Sequence, residues 1–376
     1  DWHIGTYHNM NYFNNIFNNK KIIVLGHTGF KGSWLTLWLT RLGAEVVGGS
    51  LGLPTEPSHY ESINLNELCE SKTIDIRNRE ELCSLFKATE PDFVFHLAAQ
   101  ALVGPSYNDP VLTFETNTLG TLNVLESLRS LNTPVTALLV TSDKAYENVE
   151  TVNGYRETDR LGGKDPYSAS KGAAELVIHG YFHSFLSESD SNIKLVIGRA
   201  GNVIGGGDWA QGRLVPDIVR AWSGGNTLEI RSPHSTRPWQ HVLEPLSGYL
   251  NLAALAASDP DLHGEPFNFG PHSEDVATVG EVVERFSASL EGLKFNIVDQ
   301  RLGGSFHEAG LLKLSCDKAQ HKLDWLPVLT LDEALERTSR WYQKFYTESG
   351  EVRSFSGSQI DEYCKLAKER GRVWAN

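Results

Sequence analysis

The sequence predicts an α/β protein built on a doubly wound parallel sheet. From about residue 20 to residue 203, short apolar segments rich in Val and Ile alternate with longer segments of helical periodicity. This alternation is typical of parallel strands joined by right-handed helical crossovers. The first apolar segment contains almost no polar residues, as expected of a strand that is covered on both faces. After about residue 204 the elements become shorter and richer in proline and aromatic residues, which predicts a smaller α/β lobe.

Six strands and three prominent helices are predicted in the first part of the chain. The strands are predicted at residues 20–25, 45–48, around 73–76, 92–97, 135–141 and 194–198. The helices are predicted at residues 33–42, 110–130 and 167–187. Six such strands suit a Rossmann fold, which binds dinucleotides. The expected organisation is a tail at 1–19, a Rossmann domain at 20–203 joined by a segment near 239–262, and a substrate-binding lobe formed mainly by 204–376.

Composition and charge argue against several classes of protein. The chain has 376 residues and a formal net charge of −13, whereas a nucleic-acid-binding protein needs a basic face. No apolar run is long enough to span a bilayer, and the polar, Asn-rich N-terminus does not read as a secretory signal. The four cysteines lack the spacing of a metal site. We therefore expect a cytoplasmic enzyme with reduced thiols and no metal.

A glycine-rich segment follows the first predicted strand and opens the first predicted helix. Gly26, Gly29 and Gly32 are spaced G-x-x-G-x-x-G. Glycines in this place allow a tight turn and let backbone N–H groups approach a pyrophosphate at the helix N-terminus. An ordinary glycine-rich turn would have the same pattern, but the position at the first strand–helix junction favours a dinucleotide site.

The region after the second strand leaves the choice of dinucleotide open. The usual acidic residue for the adenosine ribose of NAD is absent, because residues 49–52 read G-S-L-G. Lys31, inside the glycine segment, would suit a 2′-phosphate. NAD is the expected cofactor, with NADP as the alternative. Asp75 and Ile76 are expected to contact the adenine, although Asp75 would equally well cap a turn.

A tyrosine and a lysine in one predicted helix are candidates for proton transfer. Tyr167 and Lys171 are at positions i and i+4 and therefore share a helix face. Lys171 and an oxidised nicotinamide are both cationic, so both are expected to lower the pKa of Tyr167. Tyr167 would then take a proton from a hydroxyl group while the carbon is oxidised.

Three polar residues follow the fifth predicted strand, and the carboxyl ends of strands face the ligand crevice in this fold. Ser142 would hydrogen-bond the oxygen that is oxidised. Asp143 and Lys144 are candidates for the acid and the base of an elimination next to the new ketone. Lys144 would have to be neutral for this role, and desolvation with nearby positive charge would lower its pKa. A surface Asp–Lys pair in a turn is the alternative interpretation.

Together these motifs resemble the nucleotide-sugar 4,6-dehydratases of the extended short-chain dehydrogenase/reductase superfamily. The resemblance covers about residues 20–341. Its motifs are G-H-T-G-F-K-G-S-W-L (26–35), H-L-A-A-Q (96–100), T-S-D-K (141–144), G-Y-R-E (154–157), D-P-Y-S-A-S-K (165–171), R-A-G-N-V-I-G-G-G-D-W (199–209), R-P-W-Q-H-V-L-E-P-L-S-G-Y (237–249) and H-E-A (307–309). Most members of this family are expected to carry Asp-Glu after the fifth strand, and the branch that acts on CDP-glucose carries Asp-Lys, as this chain does.

The resemblance implies a closed redox cycle from CDP-D-glucose to CDP-4-keto-6-deoxy-D-glucose and water. Tyr167 with Ser142 would oxidise C4, and the hydride would pass to NAD. Lys144 would remove the C5 proton and Asp143 would protonate the departing C6 hydroxyl, after which the hydride would return to C6. The alternatives are a 4,6-dehydratase of another nucleotide sugar, a nucleotide-sugar 4-epimerase, which does not need the Asp–Lys pair, and a cofactor-binding scaffold without turnover.

The resemblance also implies binding residues. The expected catalytic residues are Ser142, Asp143, Lys144, Tyr167 and Lys171. The expected cofactor-binding residues are Gly26, Thr28, Gly29, Phe30, Lys31, Gly32, Asp75, Ile76, Leu97, Ala98, Ala99, Gln100, Tyr167 and Lys171. The expected substrate-binding residues are Ser106, Asn202, Leu214, Pro216, Arg231, Arg237 and His307. Arg237 is the strongest pyrophosphate candidate, because a guanidinium group binds two phosphate oxygens at once.

The expected partners are a nucleotide sugar and a second copy of the chain. The two long helices predicted near 110–130 and 167–187 could form a bundle shared between two subunits. Neither a nucleic acid nor a membrane is expected as a partner. Asn117 is expected to tie a strand to a helix rather than to contact a ligand.

Overall fold

A sheet of seven parallel strands forms the centre of the molecule. The computed structural model describes residues 12–188, 191–230, 232–272, 275–298, 311–347 and 352–376. Its strands are β1 Lys21–Leu25, β2 Glu45–Ser50, β3 Glu70–Thr73, β4 Phe93–His96, β5 Val135–Val140, β6 Ile193–Ala200, β7 Val203–Ile204, β8 Thr227–Ile230, β9 Thr236–Arg237, β10 Gln240–His241, β11 Pro266–Phe269, β12 Ala277–Thr278 and β13 Lys294–Ile297.

The strand order of the sheet is β3-β2-β1-β4-β5-β6-β11. The chain runs outwards from β1 to β3, returns to the centre at β4 and then runs outwards in the other direction. This reversal between β1 and β4 is the topological switch point at which doubly wound folds bind their ligands. The remaining strands form the two-stranded pairs β7–β10, β9–β12 and β8–β13.

Helices cover both faces of the sheet. They are α1 Phe30–Arg41, α2 His59–Ser62, α3 Arg79–Thr89, α4 Val103–Asn108, α5 Pro110–Phe114, α6 Gly120–Arg129, α7 Pro166–Tyr181, α8 Leu214–Ser223, α9 Leu243–Ala256, α10 Val279–Ser289, α11 Asp317–Leu323, α12 Leu331–Thr347 and α13 Val352–Glu369. A π-helical turn at Glu115–Leu119 joins α5 to α6, and another at Phe182–Leu186 continues α7.

The alternation of side chains along β1 divides the core into two layers. Ile22 and Val24 point into the layer that contains α1 and α9, whereas Ile23 and Leu25 point into the layer that contains α3 and α6. All four side chains are fully buried. Successive residues of a strand face opposite sides, so an apolar run without alternation, as in β1, has to be covered on both sides.

The predicted fold class is confirmed, and two details of the prediction are wrong. The third strand is β3 Glu70–Thr73 rather than the segment around 73–76, because the apolar Ile74 and Ile76 pack against the core from the turn that follows the strand. The expected six strands are seven, because β11 adds an outer strand beside β6. Its sequence, P-F-N-F, is too short to show a period.

Later segments also contribute to the layer beneath the sheet. Helix α9 packs against β5 and β6, and Trp341 of α12 and Tyr363 of α13 are fully buried in the same core layer. The division of the chain into two domains near residue 203 stays a prediction. In the described ranges, no helix combines the length and the apolar character that crossing a membrane requires.

Candidate active site

The glycine turn after β1 lies directly against the end of β4. Gly26 has a positive φ of 88°, and a Cβ atom on it would lie 2.7 Å from the backbone nitrogen of Ala98. A Cβ atom on Gly32 would lie 2.0 Å from the carbonyl oxygen of Gly26. Since neither position leaves space for a side chain, the backbone at the start of α1 stays open to a ligand. This cradle fits the pyrophosphate of a dinucleotide.

Neutral polar groups occupy the end of β2. The ring of His27 is hydrogen-bonded to Ser50 Oγ at 2.9 Å and to Ser71 Oγ at 3.0 Å. Thr28 donates its backbone N–H to Ser50 Oγ and its hydroxyl to Gly52 O. Burial lowers the pKa of His27 to about 4, so this ring is uncharged at neutral pH. A hydroxyl and an imidazole therefore stand where related folds often place a carboxylate.

Asp75 is engaged with its own turn. The backbone N–H and the guanidinium of Arg77 both donate to the Asp75 carboxylate, at 2.9 and 2.6 Å. These bonds lower the pKa of Asp75, the side-chain hydrogen bond from Arg77 being the largest cause. Of the two roles expected for Asp75, an adenine contact and a turn cap, the structure shows the turn cap. Ile76 is buried and packs against Gly120 at the start of α6.

The turn after β5, formed by Ser142, Asp143 and Lys144, is closely organised. Ser142 caps it: the backbone N–H of Lys144 donates to Ser142 Oγ, which in turn donates to Asp143 Oδ1 at 3.0 Å. Asp143 is 1% exposed and Lys144 is 34% exposed, with Lys144 Nζ 4.0 Å from Asp143 Oδ1. One carboxyl and one amine therefore lie side by side at the strand end, one buried and the other accessible.

Tyr167 and Lys171 approach this turn from α7. The helix is capped by Asp165, which accepts the backbone N–H of Ser168. Tyr167 and Lys171 are both buried. Burial raises the pKa of Tyr167, and Lys144 and a hydrogen bond with Ser142 oppose that shift.

Two cations in the structure lower the pKa of Tyr167. Lys144 and Arg213 have this effect, and Asp143 has the opposite effect. The expectation that Lys171 lowers the pKa of Tyr167 stays a prediction. The contribution expected from an oxidised nicotinamide stays a prediction.

Lys31 lies towards the centre of the cleft. Burial, together with the neighbouring charges of Lys171 and Arg213, lowers the pKa of Lys31 to about 8, and the charge of Asp143 opposes this shift. These three neighbours lie on α7, just before α8 and in the turn after β5. The expectation that Lys31 would suit a 2′-phosphate stays a prediction.

Gln100 and Asn117 form a scaffold beneath the cleft. The side chain of Asn117 bonds the backbone N–H and carbonyl of Gln100 and also donates to Ser170 Oγ at 2.9 Å. The side chain of Gln100 bonds Leu102 and Thr113. The expectation that Asn117 ties a strand end to a helix is confirmed.

The predicted substrate residues are spread around the cleft. Asn202 has a positive φ of 21°, and within the described ranges its buried Oδ1 has no hydrogen-bond partner. Arg237 is buried in β9 and donates to Thr236 O. Ser106 is fully buried in α4 and donates to Val103 O. Leu214 and Pro216 form the first turn of α8, and Arg231 and His307 lie outside the described residues.

Comparison with known proteins decides the family. A family model described as GDP-mannose 4,6 dehydratase matches residues 23–338, which is most of the chain. The chain belongs to the GDP-mannose 4,6-dehydratase family. The matched residues include the glycine turn, the 142–144 turn and α7.

Members of the family and related folds differ in the reaction they are named for. A CDP-glucose 4,6-dehydratase of Salmonella typhimurium is 44% identical over 93% of this chain and 97% of its own length. A UDP-glucose 4-epimerase of Mycoplasma pneumoniae is 23% identical over 87% of this chain and 98% of its own. An epimerase structure from Methanothermobacter thermautotrophicus has a TM-score of 0.76 at 25% identity, covering 92% of this chain and 97% of that chain. A UDP-glucuronic acid 4-epimerase of Bacillus cereus, solved with UDP-glucuronic acid and NAD, has a TM-score of 0.72 at 22% identity, with 87% and 100% covered.

Arg213 lies near Tyr167 and Lys31, although no feature of the sequence had indicated it as a site residue. Arg213 precedes α8 and donates to Asp208 Oδ2 at 2.9 Å, and Asp208 is buried. The charge of Arg213 acts on both Tyr167 and Lys31. The motif G-G-G-D-W contains Asp208, but the sequence offers no sign that this aspartate would hold an arginine near Tyr167.

Proposed function

We propose that this chain is a CDP-glucose 4,6-dehydratase, which converts CDP-D-glucose into CDP-4-keto-6-deoxy-D-glucose and water. The observation that carries the proposal is the contact between two groups of residues. The 142–144 turn supplies a hydroxyl, a carboxyl and an amine, and α7 brings Tyr167 against Ser142 and Lys144. An oxidation and an elimination need these groups in one place.

The substrate class is supported by the relative from Salmonella typhimurium. At 44% identity over 93% of this chain, it shares nearly the whole length with a protein named as a CDP-glucose 4,6-dehydratase. A dTDP-glucose 4,6-dehydratase of Neisseria meningitidis is 24% identical over 86% of this chain. The higher identity favours a cytidine diphosphate sugar over other nucleotide sugars.

The residues of the cleft fit a nicotinamide dinucleotide. The Gly26–Gly32 cradle suits its pyrophosphate, and the end of β4 at Leu97, Ala98 and Ala99 passes directly beside that cradle. When bound, the nicotinamide ring supplies a reversible two-electron oxidant for the sugar. NAD is the proposed form, and the UDP-glucuronic acid 4-epimerase of Bacillus cereus, which has a related fold, was solved with NAD.

Tyr167 and Ser142 are assigned to the first proton transfer. Ser142 holds the C4 hydroxyl and Tyr167 takes its proton. A tyrosine needs nearby positive charge for this task because burial raises its pKa. Arg213 supplies such charge in the structure, and Lys171 is assigned to the sugar and ribose hydroxyls beside Tyr167.

Asp143 and Lys144 are assigned to the elimination. Once C4 is a ketone, the C5 proton becomes acidic, and the accessible amine of Lys144 removes it. Asp143, 4.0 Å away from that amine, donates a proton to the departing C6 hydroxyl. Placing the acid and the base on consecutive residues puts them within reach of adjacent sugar carbons.

The diphosphate and the base are assigned to the outer part of the cleft. Arg237 and Asn202 would contact the diphosphate, since both have polar groups at the ends of short strands beside the site. The first turn of α8, with Leu214 and Pro216, would contact the cytosine. Arg213 directly precedes this turn and its charge acts on Tyr167, which suits a contact with the sugar or its diphosphate.

A homodimer is the proposed assembly. Large apolar side chains are exposed along the α5–α6 segment and α7, among them Val111 at 65%, Leu119 at 52% and Leu176 at 63%. A monomer rarely leaves so many apolar side chains on neighbouring helices in water. A second copy, with the same two helices packed against them, would cover this surface in an isologous interface.

Incubation with CDP-, dTDP-, UDP- and GDP-glucose tests the proposal. We expect NAD-dependent loss of one water from CDP-glucose, detected by mass spectrometry as an 18 Da decrease (the mass of water), and faster turnover than with the other sugars. Formation of CDP-galactose without loss of mass would instead support a 4-epimerase. Binding of cofactor without conversion of any sugar would contradict both assignments.

A further inference from the structure

A buried carboxylate joins the two catalytic segments. Glu175 is on α7, one helical turn after Lys171, and is 4% exposed. Its Oε1 accepts the hydroxyl of Thr141 at 2.5 Å, and Thr141 is the residue directly before Ser142. Glu175 therefore contacts the strand end that carries the 142–144 turn and belongs to the helix that carries Tyr167.

An arginine completes this arrangement from the next strand. Arg199 of β6 donates to both carboxylate oxygens of Glu175, at 2.7 and 2.9 Å. Its remaining nitrogen donates to Tyr146 OH at 2.7 Å, and Tyr146 OH donates to Asn268 of β11 at 2.8 Å. Buried charges that are bonded on every side in this manner hold their elements in one arrangement.

We propose that Glu175 is a positioning residue that fixes the 142–144 turn relative to Tyr167 and places a negative charge one helical turn from Lys171. The inference rests on the proposed function, because it assigns to Glu175 the support of that reaction's residues. Glu175 does not contact substrate or cofactor in this assignment. It acts on the 142–144 turn through its hydrogen bond with Thr141, and on Lys171 through its negative charge.

The charges around Lys171 favour this second role. Lys171 faces Lys31 of α1, His96 of β4 and Glu175 of its own helix. Burial lowers the pKa of His96 to about 3, so that ring is neutral, and Lys31 adds positive charge. Burial lowers the pKa of Lys171 to about 8, and Glu175 is the group that raises it.

Arg199 moderates the effect of Glu175 but does not cancel it. Arg199 binds both carboxylate oxygens of Glu175, and Glu175 nevertheless raises the pKa of Lys171. Glu175 and Lys171 are neighbours on one helix face, at positions i and i+4, where opposite charges attract. Without the carboxylate, Lys171 would lose the charge that raises its pKa, and that pKa would decrease.

Two variants separate the two roles. Glu175→Gln keeps a side chain of the same shape that still accepts from Thr141 but lacks the charge. Thr141→Val keeps the Glu175–Arg199 pair but removes the bond to the strand end. Glu126→Gln, which removes a carboxylate bonded to Arg129 on α6, is the matched control.

The pKa of Lys171 is measured directly in protein labelled with ¹³C and ¹⁵N at lysine, by following the side-chain NMR signals against pH; the Lys171 signal is assigned with Lys171→Arg. We expect Glu175→Gln to lower this pKa by about one unit, as the loss of one nearby opposite charge does. The alkaline limb of the kcat profile should move by the same amount. An unchanged Lys171 titration in folded Glu175→Gln would overturn the proposal.

Thr141→Val should reduce kcat about fivefold, the change that one buried hydrogen bond supports, without moving the Lys171 titration. A wild-type kcat in this variant would refute the coupling between Glu175 and the 142–144 turn. Thr141→Val also keeps the proposal testable if Glu175→Gln does not fold. The NMR titration needs no substrate. If the wild-type protein converts no nucleotide sugar, the proposed function fails, while the effect of Glu175 on Lys171 is still measured.

Discussion

Asp143 and Gly201 are packed so closely that a Cβ atom on Gly201 would lie 1.9 Å from Asp143 Oδ2. Asp143 is buried and comes from the turn after β5, whereas Gly201 follows β6. The absence of a side chain at residue 201 is therefore what allows the carboxyl group to occupy its place beside Lys144.

Gly201→Ala is expected to displace the carboxyl group and to impair the elimination. We expect kcat to decrease by a factor of about 10² or more, as for the loss of a general acid, while the affinity for NAD stays the same. Steady-state kinetics and NAD titration measure the two quantities. Gly180→Ala, at a glycine where a Cβ atom would have nothing within 4 Å, is the control. Full activity of Gly201→Ala would show that the position of Asp143 is not critical.

Lys144→Ala is expected to stop proton removal at C5. Lys144, whose side chain is 34% exposed, is the proposed base, and alanine has no amine to replace it. In deuterated water the wild-type enzyme should incorporate deuterium at C5 of the product, and Lys144→Ala should incorporate none while it retains some oxidation at C4. The loss in kcat should be on the order of 10²–10⁴. NMR of the recovered nucleotide sugar detects the label, and undiminished labelling would exclude Lys144 as the base.

The central residues of the site were predictable because local rules place them. A polar residue directly after a buried parallel strand faces the ligand crevice, which locates Ser142, and a helical i, i+4 spacing locates Tyr167 relative to Lys171. Both rules need only a few neighbouring residues. The same reasoning predicted the sheet and its helices, because apolar runs and helical periods are properties of short segments.

The supporting residues were not predictable because they depend on distant parts of the chain. Glu175 meets Arg199 and Thr141 at sequence separations of 24 and 34, and nothing in their spacing indicates a contact. Asp75 is a different case, because its two expected roles were both local. The bonds that it accepts from Arg77, two residues later, show that its carboxylate caps the turn.

Activity is expected to decrease at alkaline pH as Lys171 loses its proton. Burial lowers the pKa of Lys171 to about 8, so the side chain is cationic below that pH and neutral above it. A neutral lysine no longer attracts the hydroxyls or the negative charge that develops on Tyr167. The kcat/KM profile for CDP-glucose should therefore have an alkaline limb near pH 8, and a profile that stays flat to pH 10 would contradict the role of Lys171.

Deprotonation of Lys171 is expected to raise the free energy of unfolding, although it lowers the activity. The pKa of Lys171 is about 8 in the folded protein and about 10.4 in an unfolded chain. Between these two values the unfolded state binds more protons, so the contribution of Lys171 to the free energy of unfolding rises with pH. Lys171→Met lacks this contribution. Urea unfolding of both proteins from pH 7 to pH 10 should show the stability advantage of Lys171→Met shrinking as pH rises.

Arg213→Ala is expected to weaken substrate binding and to slow the oxidation step. Arg213 is oriented by the buried Asp208 and acts electrostatically on Tyr167. Loss of a charge-assisted hydrogen bond costs about 1.5–3 kcal/mol, which corresponds to an increase in KM of roughly 10–150-fold. Arg160→Ala removes an arginine that is 83% exposed and serves as the control. Equal KM values for the two variants would show that Arg213 does not contribute to substrate binding.

Leu176→Glu is expected to convert the dimer into a monomer. Leu176 lies on α7 with 63% of its side chain exposed, and near a two-fold axis a glutamate there would bring two like charges together in an apolar interface. Leu53→Glu, at a residue 37% exposed on the loop after β2, is the control and should leave the mass unchanged. Sedimentation velocity over a hundredfold concentration range measures the mass. Wild-type protein that sediments as a monomer throughout that range would refute the dimer.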